Sequence, residues 1–212
     1  MTTPHPIADA AVKFTDNPAA GFVPWIAFWV IASSPSTWVY GAAAAALAGA
    51  VICVPDLLAR SPKMLDIATT VFFLALTVIG VMIGPAEGDV VDRWSNVISS
   101  AALAVIALGS LLFVPFTEQY ARRGVPRAVW TTPAFKRINR VLTAMWGVVF
   151  AAIALSGVVA ITAPATADWT NWVIPIVLLV AAMKFTGWYP DAAAPNSPTP
   201  TTAARDDRTT RA

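Results

Sequence analysis

The chain has 212 residues, of which 57% are hydrophobic and only 12% charged, with a formal net charge of +2. Soluble domains carry about a quarter charged residues, so this composition excludes an ordinary soluble domain and points to one membrane domain. The single cysteine, Cys53, excludes an intramolecular disulfide, and the single histidine, His5, excludes any metal centre or base built from histidines in the body of the chain.

Residues 1–20 form a polar lead without a basic stretch running directly into an apolar core, so no cleavable signal peptide is expected. Residues 22–33 (FVPWIAFWVIAS) are apolar and aromatic but fall short of the ~20 residues a perpendicular span needs. Ser34-Pro35-Ser36 reads as a turn. The segment is taken as a short first span closing a tight hairpin, with a re-entrant segment as the other reading.

Residues 37–54 are the second predicted span. Gly41, Ala45 and Gly49 recur every four residues, which places them on one helix face where two backbones can approach closely. Any alanine-rich helix shows some such spacing, so the seam is weighed evenly against that background. Residues 55–63 (PDLLARSPK) read as a short loop carrying Arg60 and Lys63. Residues 64–84 form the third span, with Asp66 one turn in and near enough to the end to reach the interface. Residues 85–93 are a polar turn. Its acids, Glu87, Asp89 and Asp92, lack a calcium-loop pattern and read as solvated. Residues 94–114 are the fourth span, opened by Trp94.

Residues 115–140 are the one long polar segment between two apolar runs. They carry Arg122, Arg123, Arg127, Lys136, Arg137 and Arg140 against one acid, Glu118. Trp130 and Phe135 interleave with the charges, a pattern suited to aromatic insertion among headgroups and arginine contact with anionic lipid or a partner protein. Residues 141–162 are the fifth span. Residues 171–185 are the sixth, interrupted by Pro175 and extended by Gly187, Trp188 and Tyr189. Residues 190–212 form a Pro/Thr/Ala-rich tail expected to be disordered. The predicted organisation is a lead (1–20), a membrane domain (21–189) and a tail (190–212).

Lys and Arg in short loops resist translocation, so the basic segment is assigned to the cytoplasmic side. Six crossings with both termini cytoplasmic then leave every one of the 14 Lys and Arg residues inside except Arg93. The predicted fold is therefore an all-α polytopic bundle of six transmembrane helices.

No phosphate-binding glycine loop, nucleophile elbow or Cys/His cluster is present in the sequence. No enzymatic activity, cofactor or metal is expected. The basic charge sits in a membrane loop, so a nucleic-acid partner is not suggested. Glu118, Asn139 and Arg140 are weighed as a polar gate between helices, and snorkelling at helix ends is preferred. Charges in the middle of the spans, the usual mark of a transport path, are absent. The leading expectation is a structural or interaction protein of the membrane, and the alternative is a small transporter or permease.

The order of features also resembles a known family. A short aromatic segment runs into a small-residue span, and Trp94 opens the fourth span. Pro115-Phe116 and Val129-Trp130 lie in the basic segment. Asn139, then Trp146-Gly147 with Phe150, mark the fifth span, and Trp169 or Trp172 precedes the sixth. Over residues 22–185 this is similar to small bacterial inner-membrane proteins of the intracellular septation A type. The resemblance implies a multi-pass protein of the bacterial plasma membrane. It also implies a non-enzymatic role in envelope or division-site organisation, through contacts with other membrane proteins.

Overall fold

A computed structural model describes residues 21–32, 37–60, 63–83 and 88–193. The lead (1–20), the turn at 33–36 and the tail from 194 lie outside the described residues, as does Glu87. Among the described residues every regular element is helical. The helices are α1 (Val23–Ile31), α2 (Trp38–Leu58), α3 (Met64–Ile83), α4 (Gly88–Ser110), α5 (Phe116–Gly124), α6 (Pro133–Thr162) and α7 (Ile174–Ala193). Four segments are long and apolar enough to cross a membrane: Trp38–Leu58, Met64–Ile83, Pro133–Thr162 and Trp169–Ala193.

The helices run up and down, and their close contacts fix the register. Gly49 of α2 backs onto Thr70 of α3, while Trp38 and Val39 at the other end of α2 cover Gly80. Gly147 of α6 leaves room for Leu108 of α4, and ten residues on Gly157 faces Val97. Both pairs are antiparallel. A Cβ at Gly157 would stand 2.9 Å from the Val97 side chain, and one at Gly147 would overlap Leu108, so glycine is what lets α4 and α6 close up. The predicted seam residues are all buried: Ala45 is fully covered, and Gly41 approaches Ala32 and the Phe28 carbonyl of α1.

The nine residues of α1 span about 14 Å, under half of a ~30 Å hydrocarbon core. Yet α1 is the hub of the core. Trp25 and Phe28 are buried. Trp25 stacks on Phe72 at 5.3 Å and meets Phe73 edge-on at 4.7 Å, and its indole donates to Thr69 Oγ1 at 3.0 Å. Phe22, just ahead of α1, stacks on Trp146 at 5.3 Å, and Trp29 donates to Ser99 Oγ at 3.2 Å. The wedge thereby joins the α2–α3 pair to the α4–α6 pair. It starts at the basic end, where Gly21 abuts Tyr120 and Asp66. The chain re-emerges at Trp38, beside Gly80 near the opposite end of α3.

Several predicted boundaries move. α2 continues through Pro55 to Leu58, so Asp56 is helical rather than in a loop. Proline is tolerated there because only one hydrogen bond is lost and little helix follows. Arg60 then reverses the chain in the left-handed region (φ 54°). α4 begins at Gly88, inside the segment read as a turn, and ends at Ser110. α6 begins at Pro133, eight residues before the predicted span. Thr132 caps it, its Oγ1 accepting from the Phe135 amide at 3.4 Å, with proline in the first turn. Lys136, Arg137 and Arg140 therefore ride on helix, not on a loop. Pro175 does not break the last helix. A π turn at Trp169–Val173 precedes it, and the helix runs on to Ala193, through Pro190 and into the predicted tail.

Candidate functional site

The densest polar site lies at the basic end, where the α2–α3 turn meets α5. Asp56 and Asp66 sit within one turn of the ends of two apolar helices, and Lys63 lies between them in sequence. All three are nearly inaccessible, at 6%, 3% and 2% exposure. Burying a lone charge is costly enough that each must find a partner. The Lys63 ammonium stands 3.0 Å from Asp56 Oδ2 and 3.4 Å from Asp66 Oδ2. Neither Oδ2 receives an aligned hydrogen bond, so the ammonium holds both by charge.

The second oxygen of each carboxylate is taken by α5. Arg123 Nη2 lies 2.8 Å from Asp56 Oδ1. The Tyr120 hydroxyl donates to Asp66 Oδ1 at 2.6 Å. Lys63 also lies over the Tyr120 ring, 4.7 Å from its centroid. Two carboxylates meet two cations, so the knot is balanced in charge. Burial first, and then the adjacent Asp66 carboxylate, push the Tyr120 phenol well above its ordinary range, so it stays a donor. Gly21 completes the site. A Cβ there would run into the Tyr120 hydroxyl, so only glycine lets the chain enter α1 past the knot.

Neighbouring bonds fasten the same elements. Gln119 Oε1 accepts from the Met64 amide at 2.7 Å, and its Nε2 donates to the Val114 carbonyl at 2.9 Å. The strap so formed ties the first residue of α3 to the elbow before α5. On the other side of α5, Thr117 Oγ1 donates to the Asn139 carbonyl at 2.8 Å and lies 2.8 Å from Thr143 Oγ1. Ser110 Oγ accepts from the Phe116 amide at 3.0 Å, turning the chain from α4 into α5. α5 is thus bolted to four helices, α2, α3, α4 and α6, along the basic end.

The residues predicted for lipid or partner contact separate into two groups. Arg122 pairs with buried Glu118 at 2.6 Å, and Arg123 is taken by Asp56. Trp130 is half-buried, its ring 5.2 Å from the Arg122 guanidinium and 5.7 Å from that of Arg127. Arg127, Lys136, Arg137 and Arg140 are exposed. Phe135, expected among the headgroups, is instead buried, because α6 turns Phe135, Asn139, Leu142 and Trp146 inward at helical spacing. The weighed gate is not assembled: Glu118 pairs with Arg122, Asn139 Nδ2 donates to the Phe135 carbonyl at 2.9 Å, and Arg140 faces outward.

Asp56, Lys63 and Tyr120 were not singled out as site residues by sequence reasoning, and Asp66 was expected to reach the interface. The available signal was Asp66 itself. A carboxylate one turn into an apolar helix needs a cation, and Lys63 stands three residues before it. No group of three or more metal-ligating side chains occurs among the described residues. Compared with known proteins, the chain matches no family model, and no curated protein or solved structure matches it significantly.

Proposed function

We propose that this chain is a multi-pass membrane protein with a non-enzymatic, structural or interaction role, presenting a rigid basic face on the cytoplasmic side. One observation carries the reading. Every buried charged side chain among the described residues — Asp56, Lys63, Asp66 and Glu118 — lies at the basic end, and each is paired with an opposite charge there. A transport path calls for ionisable or broken-helix sites near mid-depth. Here Asp56 is only two residues from the end of α2, about 3 Å along its axis. A neutral, closed knot fastens helices; it leaves no free charge to carry a solute.

Six crossings with both termini inside is the topology we favour. Its support is the path of the first segment, which starts beside Asp66 and is followed by α2 starting beside Gly80, together with the gathering of Arg60, Lys63, the arginines of α5 and the basic residues that open α6 at one end, whereas Lys184 lies within the last span. A role in organising the envelope or division site of a bacterial plasma membrane follows from the septation-type resemblance alone.

Two measurements test this. On a Cys53→Ser background, Asp89→Cys should label from outside and Gly124→Cys only after permeabilisation; the reverse pattern overturns the orientation. In liposomes, the purified protein should pass no ion or small solute in a saturable manner. Reproducible saturable flux would replace the structural reading with the transporter.

A further inference from the structure

A groove of about 660 Å³ opens on the outside of the bundle, between α3 and the elbow joining α4 to α5. Its long wall is apolar: Ile67, Ala68 and Val71 from α3, and Phe113 from the elbow. Val71 and Phe113 are 60% and 76% exposed. From Met64 to Val71 the wall runs about 10 Å along a helix suited to crossing a membrane. The volume falls within the ~300–1,000 Å³ typical of ligand sites.

Only Gln119 and Arg122 put polar side chains at the groove. Gln119 spends both ends of its amide on the strap between Met64 and Val114. Arg122 does not use its whole guanidinium. Nε and Nη2 both donate to Glu118 Oε1, at 3.2 Å and 2.6 Å, while Nη1 has no hydrogen bond among the described residues. Glu118, at 4% exposure, lies beneath and orients the guanidinium without facing a ligand, and the Trp130 ring steadies it from another side.

We infer that this groove is a binding site for one anionic phospholipid, with an acyl chain along α3 and the phosphate on Arg122. The inference rests on the membrane reading above. Charge chooses the occupant. A planar, pre-set guanidinium suits phosphate oxygens, and the exposed Arg127 beside Trp130 adds positive charge at the same end. A choline headgroup would bring a third cation to that place, whereas a glycerol headgroup brings none.

The test is native mass spectrometry of the full chain from mild detergent, titrated with phosphatidylglycerol, phosphatidylcholine or inorganic phosphate. One phosphatidylglycerol should remain bound at concentrations where phosphatidylcholine does not. Arg122→Gln and Ala68→Trp, which fills the groove without touching a charge, should each weaken retention about tenfold. Arg137→Gln, the same charge change on exposed helix, should not. Equal retention in Arg122→Gln and wild type, or in Ala68→Trp and wild type, overturns the site. So does equal binding of phosphatidylcholine, and so does displacement by inorganic phosphate, which would make this a free-phosphate site. Carbonate extraction of cell membranes separates the two readings. A chain released by carbonate refutes the membrane reading itself, whereas an embedded chain that retains no phosphatidylglycerol refutes only the site.

Discussion

Arg123 on α5 and Arg137 on α6 lie fourteen positions apart in one basic stretch, and the fold treats them oppositely. Arg123 reaches inward to Asp56 and helps close a buried knot, while Arg137 faces out from the first turns of α6. The difference arises in the backbone between them. α5 ends at Gly124, and Thr132 starts a new helix whose inward face is already filled by Phe135, Asn139 and Leu142. The basic residues of α6 are left the outward face. One charge-rich stretch therefore divides in two: its first half ties helices together, and its second half leaves positive charge exposed on the surface.

The sharpest way to break this comparison is Lys63→Ala. It leaves Asp56 and Asp66 buried without the ammonium between them, and removing one partner of a buried pair costs about 3–5 kcal/mol. Unfolding in detergent micelles, followed by tryptophan fluorescence against denaturant, should show a loss of that size. If Lys63→Ala unfolds with the parent, the knot does not hold the α2–α3 turn to α5.

Tyr120→Phe should cost less, about 1–3 kcal/mol, because it removes only the hydrogen-bond donor to Asp66 Oδ1. Its pH dependence is more informative. The folded phenol titrates above its unfolded value of about 10. Its contribution is therefore complete below pH ~10 and is lost as pH rises further, by about 1.4 kcal/mol per unit, since the unfolded chain releases the proton first. Stability measured from pH 8 to pH 11.5 should fall more steeply for the parent than for Tyr120→Phe. Parallel curves would mean the phenol is not buried against a carboxylate.

How much of this was legible beforehand follows from which interactions are local. The helical class and the apolar runs were readable because hydropathy is written along the chain. The inward placement of Gly41, Ala45 and Gly49 could be anticipated, since four-residue spacing fixes one face. The knot could not. Asp66 and Tyr120 are 54 residues apart, and nothing local to either one names the other. Read as ending at Val54, the second span places Asp56 in a loop, whereas α2 runs on to Leu58 and buries it. α1 was hard to place for a related reason. Its length argues against a helical crossing, and only its contacts with Thr69, Phe73 and Ser99, with Phe22 just ahead of it on Trp146, reveal it as the core wedge.

Arg60 offers a smaller test, with the opposite sign. It holds a left-handed backbone at φ 54°, where a Cβ costs about 1–2 kcal/mol. Its side chain is exposed. Arg60→Gly should stabilise the turn by up to about 1 kcal/mol after the entropy of the added glycine is subtracted. A loss in the same denaturant titration would mean that the Arg60 side chain contributes to the turn.

The smallest effect belongs to the exposed side of the comparison, and it tests whether the division is real. Arg137→Gln with Arg140→Gln should change folding stability by no more than about 0.5 kcal/mol, as surface substitutions without buried partners do. Salt separates the two groups further. At 1 M ionic strength the Debye length falls to about 3 Å, which screens exposed charges but leaves buried pairs almost untouched. Affinity of the basic face for anionic vesicles should therefore fall with salt and fall with the double substitution. The penalty of Lys63→Ala should persist at both salt concentrations. If that penalty vanishes in 1 M salt, water and ions reach Asp56 and Asp66, and the distinction between a sealed knot and a charged surface fails.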